Sequence, residues 1–456
     1  MMGRREAPGE LFYDFSLERH VPADHLLRRI DAVLDLSIVR ATLAEHYSHT
    51  GRPSVDPELM IRMLLVGYLF GIRSETRLCD ETHLNLAYRW FCRLGLDGDV
   101  PDRSTFSKNR HGRFREGDVF RALFEEVVRS CMAAGLVSGE GAAVDGSVID
   151  ADASRARRLP GDRLPEDWSD RDGVTRPVRE YLEALDAAPP RERDEPKHGA
   201  PKHLSPTDPA AAWTIKGGPG RFGYETNYLI DTANAVIMDV EATPARLSQE
   251  IVATRTMLDR SHERLGWRPA RLAADGAYGT GAFLSWLIDR GVEPHIPVLD
   301  RKHQTYGKLT RDAFVFDAER NRFICPEGQA LTYQGATYAS RIHIYRTKPE
   351  DCDGCPRRSR CTAGKVRTIA RHFDEGAREH VRQLQQTEAF AVSARKRKKV
   401  EMLFAHLKRY LGLTRLRLRG LAGASEEFLL AATAQNLRKL VKLTLPGAPK
   451  SQLVPA

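Results

Sequence analysis

Apolar residues recur at helical spacing from residue 20 to about residue 137. One helical pattern opens with Asp56, Pro57 and Glu58, a capping residue followed by residues that suit a first turn, and Ser74 opens the next. The pattern predicts an all-helical N-terminal domain over 1–137. This domain is either a plain helical bundle or one that contains a helix-turn-helix for DNA binding.

From Ala142 the pattern changes to an alternation of strands and helices. A β-type run that ends in acids is followed by two β-rich runs around the turn 231–235, then by helix, strand, helix and strand. This order predicts a mixed α/β layer within a second domain, 138–445, followed by a tail, 446–456. Helical spacing returns over about 376–411 and again over 425–443.

Two stretches interrupt this second domain. Seven prolines fall between Pro160 and Pro201 among charges of both signs, which predicts a mobile insert over about 154–204. Residues 300–370 are rich in β-type residues and carry four of the seven cysteines. We expect a second, β-rich insertion there, ahead of the late helices.

Charge favours a polyanionic partner. The 456 residues carry 70 Lys and Arg against 61 Asp and Glu, a net charge of +9. Residues 391–420 contain ten basic side chains and one acid, Glu401, so this stretch alone has a charge of 10 − 1 = +9. A carboxylate within the most basic stretch of the chain needs an explanation.

Membrane association is not expected. The longest apolar run, 60–72, is interrupted by Arg62 and is too short to cross a bilayer. The N-terminus has no hydrophobic signal core, and the seven cysteines are an odd number, which fits a reducing compartment. We therefore expect a cytoplasmic protein.

Three carboxylates occupy positions where an α/β layer presents side chains. Asp145 is predicted to end the first strand, Asp275 to end a later one, and Glu401 to lie on a late helix. Each also has an ordinary explanation, because Asp-Gly is common in turns and a helical Glu among lysines is usually a surface ion pair. Asp150 and Asp152 compete with Asp145, which we favour for its hydrophobic lead-in.

Helical geometry sets Glu401 apart from the surrounding lysines. At about 100° per residue, the apolar residues Val400, Phe404, Leu407 and Leu411 form one stripe. Arg397, Glu401 and Lys408 then share the flank of that stripe. The other basic residues, Arg395, Lys398, Lys399 and Arg409, point to the far face.

The spacing Arg397-x3-Glu401-x6-Lys408 resembles the Y-x2-R-x3-E-x6-K signature of DDE transposases from bacterial insertion sequences. The segments "VDGS", "SPTDPAAAWTIK", "GYETNYLIDT" and "ADGAYG" resemble landmarks of the ribonuclease-H-like catalytic domain of this family, and residues 53–110 resemble its N-terminal domain. Where the signature has tyrosine, this chain has Ala394. The contact that the tyrosine makes with DNA in the family is therefore missing from the pattern.

The resemblance implies a ribonuclease-H-like mixed sheet flanked by helices, with Asp145, Asp275 and Glu401 binding Mg²⁺ or Mn²⁺. Hard divalent cations prefer carboxylate oxygens, and a metal pair can activate the attacking oxygen of phosphodiester cleavage and stabilise the leaving one. The implied activity is cleavage of transposon-end DNA followed by strand transfer. The implied partners are double-stranded DNA, both terminal inverted repeats and target, and a second copy of the chain when two ends are paired.

Basic residues around Glu401 are expected to bind DNA phosphates. Arg397 and Lys408 would hold phosphates near the scissile bond. The segment 413–420 alternates with period two, which suits a strand with its arginines on a DNA-facing edge, although a solvated basic face explains it too. The full expected set is Arg397, Lys408, Lys396, Lys398, Lys399, Arg415, Arg417 and Arg419.

Four cysteines follow the spacing C-x26-C-x2-C-x5-C: Cys325, Cys352, Cys355 and Cys361. Four thiolates with one C-x2-C pair suit a structural Zn²⁺ site without an open position. An iron–sulfur cluster and unligated thiols are the alternatives. We expect the ligand bonds to take the place of a hydrophobic core in the insertion.

Three functions fit these observations. The first is an active transposase. The second is a domesticated or decayed copy that binds DNA without cutting it, for which Ala394 is the sequence indication. The third is a ribonuclease-H-like nuclease that acts on other nucleic acids.

Overall fold

The computed structural model describes residues 15–48, 50, 54–187, 201–245, 249–299 and 307–445. The first part is helical, as predicted. Its helices are α1 (Leu17–His20), α2 (Leu26–Asp31), α3 (Ser37–Leu43), α4 (Pro57–Phe70), α5 (Glu75–Leu84), α6 (Leu86–Phe91), α7 (Arg103–His111), α8 (Arg113–Glu116) and α9 (Val119–Ala133).

Capping side chains fix where these helices begin. Asp56 accepts a hydrogen bond from the backbone N–H of Glu58 at 2.8 Å, and Ser74 accepts one from Arg77 at 3.3 Å, which confirms both predicted caps. Asn85 separates α5 from α6. Its side chain caps α6 by accepting hydrogen bonds from the N–H groups of Ala87 and Tyr88.

A six-stranded mixed sheet forms the middle of the chain. The strands up to this point are β1 (Gly141–Asp150), β2 (Leu159–Pro160), β3 (His203–Leu204), β4 (Ala212–Thr214), β5 (Arg221–Asp231), β6 (Val236–Pro244), β7 (Arg271–Ala273) and β8 (Glu293–His295). The sheet order is β4-β5-β1-β7-β8, with β6 also paired to β5. Pairs β1–β5 and β5–β6 are antiparallel, and β1–β7 and β7–β8 are parallel.

One prediction about this sheet is wrong. Asp145 does not end β1 but lies in its middle, opposite Tyr228 of β5, and the strand continues to Asp150. Strand β5 pairs antiparallel with β1 as far as Asp150. Asp145 and Asp150 are therefore both hydrogen-bonded within the sheet, although their sequence resembles the end of a strand.

Between 154 and 204, where the sequence predicts a mobile insert, the described residues contain β2, β3 and α10 (Arg176–Asp186). Trp168, Val178, Leu182 and Leu204 form a small separate core there. Residues 188–200 of the predicted insert, residues 300–306 of the Cys-bearing insertion and the tail 446–456 lie outside the described residues.

Helix α11 (Gln249–Leu265) follows β6, and helix α12 (Gly281–Asp289) follows β7. A second, antiparallel sheet comes later in the chain. It contains β9 (Val315–Asp317), β10 (Arg322–Ile324), β11 (Ala330–Thr337), β12 (Ile342–Arg346) and β13 (Thr368–His372), with α13 (Pro349–Cys352) and α14 (Arg358–Cys361) before its last strand. Phe314, Phe323, Leu331, Tyr345 and Ile369 form an apolar core there. The expectation that metal ligands take the place of a core is therefore wrong, because aromatic side chains fill this sheet.

The chain closes with α15 (Glu375–Leu384), α16 (Glu388–Arg409) and α17 (Gly420–Thr444). Helix α17 packs against α4 and α9 as well as β6, and one continuous core joins the N-terminal helices to the large sheet. Asn436 of α17 exchanges two hydrogen bonds with the backbone of Ile237 at 2.8 and 3.0 Å. No described helix combines the length and apolar composition that a membrane crossing requires.

Candidate active site and nucleic-acid interface

Asp145 lies on β1 beneath helix α16. Its side chain is 22% exposed, and one oxygen accepts a hydrogen bond from the N–H of Gly146 at 2.8 Å. Burial raises the pKa of the Asp145 carboxyl, while the Gly146 N–H and the Arg397 guanidinium act in the opposite direction. The charges of Asp275 and Glu401 raise the pKa of Asp145 further, so both acids act on the same carboxyl.

Asp275 stands two residues beyond β7. Because β7 runs parallel to β1 with Ala273 opposite Ala143, Asp275 reaches the level of Asp145 on the neighbouring strand. One oxygen of Asp275 accepts a hydrogen bond from the N–H of Ala277 at 2.8 Å, which starts a short 3₁₀ turn. The side chain is otherwise exposed.

Helix α16 brings Glu401 to the same place. Val400, Phe404 and Leu407 are buried as the helical spacing predicts, and the Phe404 ring stacks on Tyr228 of β5 with centroids 4.9 Å apart. This packing sets Arg397 and Glu401 over β1. Arg397 Nη1 lies 3.5 Å from Asp145 Oδ2, and Nη2 lies 3.3 Å from Glu401 Oε1.

The three acids fit a hard divalent cation, because such cations prefer carboxylate oxygens as ligands. Arg397 offsets only part of the negative charge around Asp145. Among the described residues, however, no three Asp, Glu, His or Cys side chains are grouped closely enough to hold a metal ion. The arrangement is thus one of three converging carboxylates with an arginine between two of them.

Lys408 lies near the end of β1. It lines a hollow with Asp150 and Arg221, and burial, followed by the charge of Arg221, lowers the pKa of Lys408. Arg221 Nε is 2.6 Å from Asp150 Oδ1. The structure therefore places Lys408 beside Asp150, and it places Asp150 in an ion pair with Arg221.

An arginine-rich cavity of about 590 Å³ adjoins this hollow. Asp152 at its rim pairs with Arg415 at 3.3 Å and with Arg419 at 2.9 Å. The charged residues that line it are Asp150, Asp152, Arg155, Arg157, Arg221, Arg415 and Arg419. Sequence reasoning missed Arg155, Arg157 and Arg221, although the run "SRARR" directly after the acids of β1 was an available signal.

The predicted strand over 413–420 is wrong. A single bridge joins Arg415 to Asp150, and the Glu427 carboxylate accepts hydrogen bonds from the next two free N–H groups, those of Arg417 and Leu418, at 2.7 Å each. No partner strand can then pair with them. The predicted alternation nevertheless persists, with Leu416 buried and Arg415, Arg417 and Arg419 exposed.

The three lysines of "KRKK" have different surroundings. Lys396 and Lys398 are exposed, whereas Lys399 is half-buried. The Lys399 ammonium donates hydrogen bonds to the carbonyls of Thr232 and Ala233 at 2.7 and 2.8 Å. Ala394, in place of the signature tyrosine, is exposed on the same helix.

Two family models match this chain: a Transposase domain (DUF772) over residues 15–112 and a Transposase DDE domain over residues 324–441. The second match contains Arg397, Glu401 and Lys408 at the signature spacing. The chain is a DDE transposase of the insertion-sequence type. Both the family resemblance and the predicted transposase function are confirmed.

A solved structure, the cryo-EM structure of piggyBac transposase synaptic complex with hairpin DNA, is similar over 92% of this transposase and 78% of its own chain. The sequence identity is 9% and the TM-score is 0.33. That degree of similarity is too weak to bear on the fold.

The four cysteines of the predicted zinc site influence one another electrostatically in this transposase. Burial raises the pKa of the Cys361 thiol, and the charges of Cys352, Cys325 and Cys355 raise it further. Gln329 donates its N–H to the Cys325 sulfur at 3.3 Å, and Thr347 Oγ1 lies 3.1 Å from the Cys352 sulfur. Four thiols are a chemically suitable donor set for Zn²⁺. Among the described residues, however, these thiols are not grouped closely enough to hold a metal ion.

A second acidic group, which sequence reasoning missed, lies beside β1. Lys216 Nζ is 2.8 Å from Glu225 and 2.7 Å from Glu250, and burial raises the pKa of Glu225 to about 7 while Lys216 acts against that shift. A Cβ at Gly146 would lie 2.9 Å from the Glu225 carboxyl, so any larger residue next to Asp145 would force the Glu225 side chain to shift. The signal was an acid within the buried run "FGYETNYLID".

Proposed function

We propose that this transposase cleaves and joins DNA at the ends of its mobile element, with Asp145, Asp275 and Glu401 binding Mg²⁺ or Mn²⁺. The observation that carries the proposal is the placement of the three carboxylates, since Arg397 bridges Asp145 and Glu401 while Asp275 reaches the level of Asp145 on the neighbouring strand. Arg397, which lies between Asp145 and Glu401, offers a cation at the place where a phosphate and its metal would meet.

The catalytic domain that we propose is ribonuclease-H-like and spans 138–445, after a helical DNA-binding domain over 1–137. An antiparallel trio of strands continued by two parallel strands, with helices α11, α12 and α16 packed on the sheet, supports the ribonuclease-H-like arrangement. The core is shared across residue 137, so the two domains act as one packed body.

Within the proposed site, the side chains of the chain bind and orient the DNA. When bound, divalent metal would activate the attacking oxygen and stabilise the leaving oxygen of the phosphodiester. Arg397 and the basic cavity around Arg221 would neutralise phosphates on either side of that bond. Asp145 and Asp150 are five residues apart on one strand, about 17 Å, so phosphates a few nucleotides from the cut would reach the cavity.

The proposed partners are double-stranded DNA, as terminal repeats and as target, and a second copy of the transposase at paired ends. Exposed Lys396 and Lys398 with Arg415, Arg417 and Arg419 supply the positive surface. A structural Zn²⁺ held by the four clustered cysteines completes the proposal.

A second candidate function is DNA binding without cleavage, which Ala394 favours because the signature tyrosine is missing. Strand nicking separates the two. Wild-type protein with Mg²⁺ should nick duplexes taken from the DNA that flanks its gene, and Asp145→Asn, Asp275→Asn and Glu401→Gln should each abolish nicking while DNA binding persists.

Glu388→Gln is the matched control, because Glu388 lies on the same helix, is exposed and pairs with Arg395 at 2.8 Å. Losing either surface pair costs at most about 1 kcal/mol of stability, so folding alone cannot produce a difference between the two variants. Near wild-type nicking by Glu401→Gln would remove Glu401 from the site. Wild-type binding without nicking would favour the second candidate.

A further inference from the structure

Helix α16 carries a second functional face on the side away from the acids. A groove of about 540 Å³ lies there between α16, α17 and the β5–β6 turn. At about 100° per residue, Lys399 and His406 in this groove lie roughly 140–160° around the helix from Glu401. The groove and the three carboxylates are thus separated by the thickness of one helix.

Four cations line the groove, Lys399, Arg438, Lys439 and Lys442, and the described residues contribute no Asp or Glu to it. Lys399 and Lys439 donate hydrogen bonds to backbone carbonyls of the turn, Lys439 to Asn234 at 2.5 Å. The side chains of Arg438 and Lys442 have neither a hydrogen bond nor an ion pair within the described part of the chain. The two most available cations therefore face the open groove.

This concentration of uncompensated charge costs the folded protein stability. Burial, together with the charges of Lys399 and Lys442, lowers the pKa of Lys439 to about 8. Burial, with Arg438 and Lys439, lowers the pKa of His406 to about 4, so this ring is neutral near pH 7. Half-buried cations without acids are expensive unless a ligand supplies the opposite charge.

We propose that this groove binds the phosphate backbone of a second DNA duplex, distinct from the duplex at Asp145. The inference rests on the proposed function, since joining DNA requires the protein to hold a second segment while the first occupies the acids. The acid-free lining matches a polyanion, and the opposite face of α16 leaves room for both duplexes. Met402, 70% exposed at the rim, and Tyr410, stacked on His406, add apolar contact surface.

The test measures binding of a second duplex to full-length protein already saturated with an unlabelled duplex from the flanking DNA. The probe is a fluorescent 30-base-pair duplex of random sequence, followed by anisotropy over a range of salt concentrations. Arg438→Gln/Lys442→Gln removes the two free cations and keeps a shorter polar side chain at each position. Lys442→Glu reverses one exposed charge and carries little risk to folding. Lys348→Gln/Lys365→Gln, both exposed in the Cys-bearing insertion, is the matched control.

We expect the double groove variant to bind the random duplex roughly tenfold or more weakly, with a log–log salt slope shallower by about 2. Lys442→Glu should weaken binding in the same direction, and the control should match wild type. Unchanged affinity and slope in both groove variants would overturn the inference. Equal loss of flanking-duplex binding would also overturn it, because the groove would then belong to the first duplex.

Competition settles the class of ligand. Unlabelled DNA duplex should displace the probe more effectively than poly-L-glutamate at equal charge, and the reverse order would overturn the assignment to a phosphate backbone. Failure of the proposed function is distinguishable, because wild type would then fail to nick the flanking duplex. Failure of this inference alone leaves wild-type nicking intact while the groove variants bind the random duplex as wild type does.

Discussion

The guanidinium of Arg397 joins two carboxylates that lie 256 positions apart in sequence, with Nη1 3.5 Å from Asp145 and Nη2 3.3 Å from Glu401. In this position the arginine carries the positive charge that a divalent cation would bring. Metal binding and the Arg397 bridge should therefore oppose each other at Asp145, whose carboxyl both would neutralise.

Arg397→Gln tests this competition through stability. Without metal the variant should lose about 1 kcal/mol of unfolding free energy, since the mostly buried Asp145 loses its cationic partner. Mg²⁺ should raise the melting temperature more in the variant than in wild type, because the cation no longer has to displace the guanidinium. Arg395→Gln, on the same helix and 65% exposed, should respond to Mg²⁺ as wild type does. An equal Mg²⁺ shift in all three proteins would show that Arg397 and metal do not compete.

Asp152 should restrain DNA binding. Its carboxylate pairs with both Arg415 and Arg419, and phosphates must compete with it for the two guanidiniums. Asp152→Asn should bind duplex DNA several-fold more tightly, with a steeper salt dependence in an electrophoretic or anisotropy titration. Asp186→Asn, which breaks an exposed pair with Arg171, serves as the control. Weaker binding by Asp152→Asn would mean that Asp152 positions the arginines and does not mask them.

Asp208 gives the fold a measurable pH dependence. It is fully buried, accepts hydrogen bonds from the Tyr224 hydroxyl at 2.5 Å and the Gly420 N–H at 3.1 Å, and burial raises its pKa to about 6 from an ordinary value of 3.8. Between those two values the folded chain binds more protons than the unfolded chain. The unfolding free energy should therefore fall as pH rises from about 4 to 6, by roughly 3 kcal/mol from this group.

Asp208→Asn keeps the accepting oxygen and removes the charge. Relative to wild type, the variant should gain stability in urea unfolding as pH increases across that window and then level off. Asp353→Asn, an exposed substitution, should follow the wild-type curve at every pH. A constant difference between Asp208→Asn and wild type from pH 4 to 7 would contradict the buried-charge explanation.

Zinc should be present at about one ion per chain. Metal analysis of protein purified without added metal should find it in wild type and in Cys79→Ser, whose thiol lies on α5, but not in Cys355→Ser. Chelation should speed hydrogen exchange in 309–372 while leaving the large sheet protected, and the aromatic core around Phe323 should limit that loosening. Wild-type protein with neither zinc nor iron would refute the site.

The parts of this fold that the sequence predicted depend on neighbours close in the chain. Asp56 and Ser74 cap helices through hydrogen bonds two or three residues away, and the buried stripe of α16 follows from helical spacing alone. The position of Asp145 in mid-strand depends on β5, about 80 residues later, and so escaped prediction. The same applies to Asp208, whose buried charge depends on Tyr224 and on the start of α17.

Helix α17 is the last element that the structure describes, so its synthesis determines when the fold can be completed. Its Glu427 pairs with Arg73 and its Glu426 with Arg115, while Asn436 holds β6, so one helix fastens both the N-terminal helices and the large sheet. On the ribosome, every other described helix and strand emerges before α17. Until residue 444 has been added and α17 has packed, a nascent chain therefore lacks the contacts that join its N-terminal helices to the large sheet.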